Sequence, residues 1–192
     1  AIRKTNKPII LVINKIDADS HNQLINEFYS LGIKEMVSVS AEHNKGIDDL
    51  KEKILNIYKS FNKNKFKETK KIIENSENED NKNLEEFIAE KDKINIAIVG
   101  KPNAGKSTLL NTLIGKERSI VSNIAGTTRD PIDETFNFNG NEICLIDTAG
   151  IRKKKNVNSD IEYYSVNRAI KSIEASDVCI LMLDVFEGLT EQ

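Results

Sequence analysis

"INIAIVGKPNAGKSTLLNTLIG", Ile94 to Gly115, decides how this chain is read. It opens with a near-continuous apolar run, the pattern of a strand buried on both faces of a parallel sheet. It closes with Leu109, Leu110, Leu113 and Ile114 at helical spacing and Gly115 as a stop. Between strand and helix, Gly100, Gly105, Lys106 and Ser107 satisfy GxxxxGK[ST] in the context that pattern requires. The glycines let backbone N–H groups turn inward around phosphate oxygens, and the positive end of the helix dipole adds to that attraction. The expected phosphate-binding loop is Gly100, Lys101, Pro102, Asn103, Ala104, Gly105, Lys106, Ser107 and Thr108. Lys106 would bridge the β- and γ-phosphates, and the Ser107 hydroxyl would ligate Mg²⁺.

Downstream, "DTAG" (Asp147 to Gly150) closes a strand expected beside the phosphate-loop strand. Asp147 is then placed to hold Mg²⁺, directly or through water, and the Gly150 N–H to sense a γ-phosphate. Thr148, Ala149 and Ile151 complete that side of the expected phosphate site. "AGTTRD" lies between the two motifs. A loop threonine that binds Mg²⁺ only when the γ-phosphate is present would make that loop a switch, and Thr128 is favoured over Thr127. Arg129 reads first as a solvated loop residue and second as a charge-stabilising finger. "TFNFNGNEICLIDTAG" reads as a hairpin turning at Asn139-Gly140. A helix carrying Val166, Ile170 and Ile173 follows, then "VCILMLDV" as another strand buried on both faces. Asp184, ending that strand, is expected to fix a turn.

Upstream, "PIILVINKID" is again a buried strand, now ending in a pattern that reads a guanine base. The Asp17 carboxylate offers two acceptors to the N1–H and N2–H₂ donors of guanine, whereas adenine would leave it unpaired. Asn14 can hold the O6/N7 edge and the neighbouring loop. The Lys15 stem can pack on the base face, with Ile16 between. "SVSA" would add a backbone N–H to O6 through Ser40 and Ala41. Between these motifs Asp19 or Ser20 can cap a helix with Leu24, Ile25, Phe28 and Leu31 on its inner face and Gly32 at its end. "MVSVSA" is a second strand, and Ile47, Leu50, Ile54 and Ile57 mark a second helix. Strands buried on both faces that alternate with helices predict an α/β fold on a mostly parallel sheet.

The totals allow one domain or pieces of two: 192 residues, 39% hydrophobic, 30% charged, net charge −2. That balance gives no global attraction to nucleic acid or anionic membrane. No apolar run approaches the ~20 residues that span a bilayer. Cys144 and Cys179 lie in apolar runs without partners at ligand spacing, so neither a disulfide framework nor a metal site is expected, and a cytosolic setting is. Residues from about 61 to 93, including "ENSENEDNKNLEE", have little to bury. They read as a solvated linker with at most a short helix near Leu84 to Ile88, or as an acidic interaction segment. "RKKK", Arg152 to Lys155, reads as a solvated loop or, alternatively, an RNA contact. His21 and His43 read as surface residues. The chain opens without methionine and closes without a terminal helix, which reads as a piece of a longer protein.

One feature of the order is unusual: the base-reading motif precedes the phosphate loop. Together the motifs resemble the translation-factor-type GTPases, and the longer runs resemble the tandem-domain ribosome-assembly GTPase family called Der or EngA. "KPIILVINKID", "EFYSLGI" and "SVSAEHNKGIDDL" resemble the back third of that family's first GTPase domain. "INIAIVGKPNAGKSTLLNTLIG", "SIVSNIAGTTRDPIDE", "LIDTAGIRKK" and "VCILMLDVFEGLTEQ" resemble the front two-thirds of its second. The resemblance implies a P-loop NTPase three-layer fold in two partial GTPase domains. Residues 1–60 would carry the base reader, 61–93 the acidic linker, and 94–192 the phosphate loop, first switch and "DTAG". A natively permuted single domain, or one completed from both parts, is the other explanation of the order.

The resemblance also implies a GTP/GDP-binding and GTP-hydrolysing switch that acts in assembly of the ribosomal large subunit, with that subunit or its rRNA as partner. It implies a cytoplasmic protein, monomeric at full length and without membrane contact. Ile151 stands where other GTPases carry a water-orienting glutamine, a hydrophobic replacement this family shares. Asn103 occupies the loop position that in related GTPases helps bind a potassium ion; its plainer reading is a loop-capping amide. Lys106, Asn103, Thr128 and Gly150 are the implied catalytic groups, with Ser107, Thr128 and Asp147 around Mg²⁺. Two other classes compete: a nucleotide-gated binding module with slow hydrolysis, and a P-loop kinase or ATPase, which the guanine motifs disfavour.

Overall fold

The long apolar runs become the centre of a single six-stranded sheet. The computed structural model describes residues 5–73, 93–115, 133–152 and 161–189; within these, only the backbone is described for 64–73 and 161–166. Its strands are β1 (Ile9–Asn14), β2 (Met36–Ser38), β3 (Lys93–Gly100), β4 (Glu134–Phe138), β5 (Asn141–Leu145) and β6 (Val178–Asp184). Their spatial order is β2-β1-β6-β3-β5-β4. The pairs β1–β2, β1–β6, β3–β6 and β3–β5 are parallel, and only β4–β5 is antiparallel. The turn between β4 and β5 uses Asn139 and Gly140 at φ 49° and 76°, the two positive values a two-residue hairpin with the right twist needs.

Helices cover both faces. They are α1 (Ile47–Ile73), α2 (Lys106–Gly115), α3 (Thr148–Arg152), α4 (Ile161–Ala175) and a 3₁₀ helix, Asp19–Leu31. On one face Ile10, Val12, Ile96 and Ile98 pack with Leu50 and Ile54 of α1 and Leu109 and Leu113 of α2. On the other, Leu11 and Ile13 meet Phe28 of the 3₁₀ helix, while Val99 and Cys179 meet Ile173 of α4. This is the three-layer arrangement that parallel strands buried on both faces demand.

The two parts of the chain do not stand apart. Strand β1 of the first part pairs with β6 of the second along its whole length, from Ile9↔Cys179 to Asn14↔Asp184. Ile10, Leu11, Val12, Ile13, Cys179 and Ile180 are all fully buried. Buried edges of that kind leave N–H and C=O groups without water, and mutual pairing is the arrangement that satisfies them.

Three local expectations change. The first helix is 3₁₀ rather than α, so its period of three stacks Ile25, Phe28 and Leu31 inward and turns Leu24 out, 44% exposed. Its N-cap is Ala18 without a side-chain cap bond. Asp19 instead supplies first-turn charge, and Gly32 closes the helix at φ 63° as expected. Helix α1 runs to Ile73, well into the stretch read as linker. "FNKNKFKETKKII" contains no Gly or Pro and is rich in helix formers, which favours continued helix propagation. The suggested helix near Leu84 lies outside the described residues. Cys144 and Cys179 are free and buried. Among the described residues no helix is long and apolar enough to cross a membrane.

Candidate nucleotide-binding site

Because β1, β2, β3, β5 and β6 run parallel, their carboxyl ends deliver five loops to one edge of the sheet. In open α/β sheets that edge is where ligands bind. The loops carry Asn14–Asp17, Ser40–Ala41, Gly100–Thr108, Asp147–Ile151 and Asp184, so motifs from both ends of the chain converge.

Asn14 is the joint. Its side chain is 3% exposed, and its Nδ2 donates to the Ala104 carbonyl at 2.9 Å. Its Oδ1 accepts from the Ala41 N–H at 3.0 Å. One amide thus links the Asn14–Asp17, Gly100–Thr108 and Ser40–Ala41 loops. Gly105 makes room for it: at φ 97° it has a conformation side chains avoid, and a Cβ there would overlap the Asn14 amide. Thr112 of α2 adds a second tie, donating from Oγ1 to the Ala41 carbonyl at 2.8 Å.

Asp17 is exposed, and one carboxylate oxygen accepts from Ser40 Oγ at 2.5 Å. The carboxylate is thereby oriented yet open to a ligand. Ile16 is buried beneath it and donates its N–H to the Val39 carbonyl at 3.1 Å. Lys15 takes φ 70°, and its ammonium pairs with the carboxylate of Asp184, a group only 4% exposed. Asp184 also accepts from the Phe186 N–H at 3.0 Å, the turn-fixing role expected of it. His21 is half-buried rather than at the open surface, its ring edge-on to Phe186 at 4.9 Å.

Lys106 Nζ donates to the Gly100 carbonyl at 2.5 Å and also to that of Lys101, which holds its charge within the loop. Asn103 takes φ 64° on the exposed outer side of the loop, beside the exposed Pro102, while Ala104 is buried. Thr108, at the start of α2, is exposed. Ser107 Oγ donates to the Ile151 carbonyl at 2.7 Å, bringing the hydroxyl against the "DTAG" segment. That segment forms the short helix α3, with Thr148 and Ile151 buried and Gly150 donating its N–H to the Asp147 carbonyl at 3.2 Å.

Asp147, at φ 56°, is engaged on both carboxylate oxygens. Arg168 Nε donates to them at 2.8 and 2.7 Å, Arg168 Nη2 adds a further bond, and Ser172 Oγ donates at 3.0 Å. The Asp147 hydrogen bonds push the Arg168 guanidinium above its ordinary pKa. Nothing but the four-residue spacing of Arg168 and Ser172 on α4 could have pointed to this pair from sequence. Arg152 pairs with Glu134 at 2.5 Å. Thr127, Thr128, Arg129 and the three lysines of "RKKK" lie outside the described residues. Elsewhere, burial pushes the Cys179 thiol up to about 12 and, more than any other influence, raises that of Cys144.

The Gly100–Thr108 loop, the Asp17 carboxylate held by Ser40, and the Ser107 and Asp147 oxygens, donors of the hard type that would suit Mg²⁺, therefore share one sheet edge. Residues 95–192 match the family model described as 50S ribosome-binding GTPase. This chain belongs to that family. Among curated relatives it is similar to the GTPase Der of Finegoldia magna, 41% identical over 191 residues. The GTPase Der of Fusobacterium nucleatum is 44% identical over 192 residues, and that of Clostridium botulinum strain Loch Maree 43% over 191. Each comparison covers 100% of this chain but 38% of the relative, so the chain spans little more than a third of the length of the relatives it matches. The 50S ribosome-binding GTPase match begins at Asn95, within β3, and does not include the Asn14–Asp17 loop.

Proposed function

We propose that this chain binds guanine nucleotide in one composite site and hydrolyses GTP there. The observation that carries the reading is the buried Asn14 amide, which joins the Ala104 carbonyl of the phosphate loop to the Ala41 N–H of the "SA" loop. Asp17, aligned by Ser40, would pair with the guanine edge, and Asn14, Lys15, Ile16, Ser40 and Ala41 would frame the base. The loop from Gly100 to Thr108 would take the phosphates, with the Lys106 ammonium transferred from the loop carbonyls to phosphate oxygens.

Hydrolysis would proceed by in-line attack of water on the γ-phosphate. Lys106, the loop N–H groups and the Gly150 N–H would stabilise the charge that develops on its oxygens. Ser107 and Asp147 are the described residues that would hold Mg²⁺, with Thr128 as the switch-loop ligand. When bound, Mg²⁺ would supply neutralisation of phosphate charge. The exposed Asn103 offers an amide oxygen for potassium. We further infer that residues 1–60 and 94–192 correspond to parts of two tandem domains, separated by 61–93, and that their strands here complete one sheet. Action in large-subunit assembly, contact with its rRNA, monomeric behaviour and a cytoplasmic setting belong to the same proposal, supported by the family and by the Der relatives.

One observation favours slow hydrolysis and a role as a nucleotide-gated binding module. Ile151, next after "DTAG", is 6% exposed and packs into the core, so its side chain can orient no water. Titration with fluorescent GDP, competed by GTP and ATP, tests the main reading. Displacement by GTP but not ATP supports the composite site, and binding without base preference sinks it. Single-turnover GTP hydrolysis in sodium and in potassium then separates the enzyme from the binding module, and equal rates in the two salts remove potassium from the proposal.

A further inference from the structure

We propose that Arg168 is a latch that competes with the divalent cation for Asp147, so that metal binding at the phosphate site is linked to release of helix α4. The inference rests on the reading of Asp147 as a metal-holding residue. Three features of the geometry point to it. First, both Asp147 oxygens are taken: the guanidinium fork reaches them through Nε and Nη2, and Ser172 Oγ adds a bond at 3.0 Å. A carboxylate so engaged has to turn at least one oxygen away from the fork before it can face a cation or a cation-bound water. Second, Arg168 also lies on Gly150: a Cβ built there would sit 3.2 Å from the guanidinium carbon and 3.3 Å from Nε. The same side chain thus bonds the acid and fills the space a side chain would need at the glycine whose N–H would meet the γ-phosphate. Third, Ser107 Oγ donates to the Ile151 carbonyl at 2.7 Å, so the other oxygen donor is also tied to this segment by a bond that metal ligation would replace.

The cost of latching is modest. The Arg168 side chain is 46% exposed and that of Asp147 24%, so solvent screens the pair, although a forked, charge-assisted contact is stronger than a single surface pair. Competition of that size alters the concentration of metal required without preventing its binding.

The test is a magnesium titration of the full chain bound to fluorescent GDP, following nucleotide dissociation from EDTA to millimolar Mg²⁺. Arg168→Ala should lower the Mg²⁺ midpoint by about threefold to fivefold, a factor set by the ordinary strength of such pairs. Its GDP affinity in EDTA should match that of the unmodified chain. Arg168→Lys keeps the charge but loses the fork and should fall between the two. Amide exchange over Ile161–Ala175 should rise when Mg²⁺ is added to the unmodified complex, and should be high and unresponsive in Arg168→Ala. Equal midpoints in all three proteins overturn the latch while leaving guanine-nucleotide binding intact. Failure of every protein to bind GDP overturns both readings together.

Discussion

Replacing Asn14 by alanine tests whether the two ends of the chain form one folded unit. The amide is 3% exposed and its two partners, Ala41 and Ala104, are each 1% exposed, so water cannot replace what is lost. Truncation strands the Ala104 carbonyl and the Ala41 N–H, each costing about 1–3 kcal/mol when buried and unpaired, or about 2–6 together. Against a urea dependence of about 2 kcal/mol per molar, the unfolding midpoint should fall by about 1–3 M with an unchanged slope. Far-ultraviolet circular dichroism follows the transition, and amide exchange at Ala41 reports the broken bond directly, since its N–H has Asn14 Oδ1 as partner at 3.0 Å. If the front segment were an independent unit, the phosphate-loop half would unfold as before. A midpoint shift below about 0.3 M, with Ala41 protection retained, would refute the argument that Asn14 bolts the halves together.

Asp17→Asn replaces one carboxylate acceptor by an amide donor; GDP affinity should fall at least about a hundredfold and that of xanthosine diphosphate should rise, with unchanged preference between the two counting against Asp17 as the base reader. Gly105→Ala places a methyl group on the Asn14 amide at φ 97° and should cost about 1–3 kcal/mol, read from thermal unfolding. It should also weaken GDP binding. For Cys179, burial raises the thiol pKa from 9.0 to about 12, so its contribution to stability is present below pH 9 and is lost as pH rises toward 12. A disulfide reagent at pH 8 should therefore label the native chain at least about a hundredfold more slowly than the urea-unfolded chain, and comparable rates would contradict the packing of β6.

The fold was legible where burial on both faces wrote itself into composition. "PIILVINK", "INIAIVG" and "VCILMLDV" are apolar at consecutive positions, which only a covered parallel strand tolerates, and all three became central strands. The hairpin was legible from Asn139-Gly140 because few other residues accept two successive positive φ values. Strand neighbours were not legible. Apolar runs say that a strand is covered but not which strand lies beside it, and β1 could have paired with a segment outside this sequence as well as with β6. The 3₁₀ helix was missed because Ile25, Phe28 and Leu31 fit a period of three or of 3.6 over so short a span. Only the position of Leu24, turned to solvent, separates the two. In the candidate site, spacing alone pointed to the motif residues that the sheet brings to one edge. Arg168, Ser172 and Thr112 were missed because a hydrogen bond across 21, 25 or 71 residues leaves no local pattern.

The reversed order of the motifs is immaterial to the geometry of the site because chain order is not what sets it. A loop reaches the binding edge if its strand runs parallel to the rest and ends there, and the five parallel strands meet that condition whether they are visited as β1-β2-β3 or in any other sequence. What the site additionally requires is correct adjacency, and the register Asn14↔Asp184 supplies it. The same register brings the Lys15 ammonium onto Asp184 and sets Asn14 across one intervening strand, β6, from Gly100, whose own partner on β6 is Met182. A slip of two residues between β1 and β6 would preserve every buried side chain on its face, yet it would carry Asn14 about 7 Å along the strand, out of reach of the Ala104 carbonyl. Hydrophobic burial therefore permits the pairing of the two segments, and the polar bonds of Asn14 and Lys15 select its register. The residues that specify how the halves assemble are thus the ones that would frame the nucleotide. Ligand binding and joining of the segments should consequently be linked, each adding to the stability of the other.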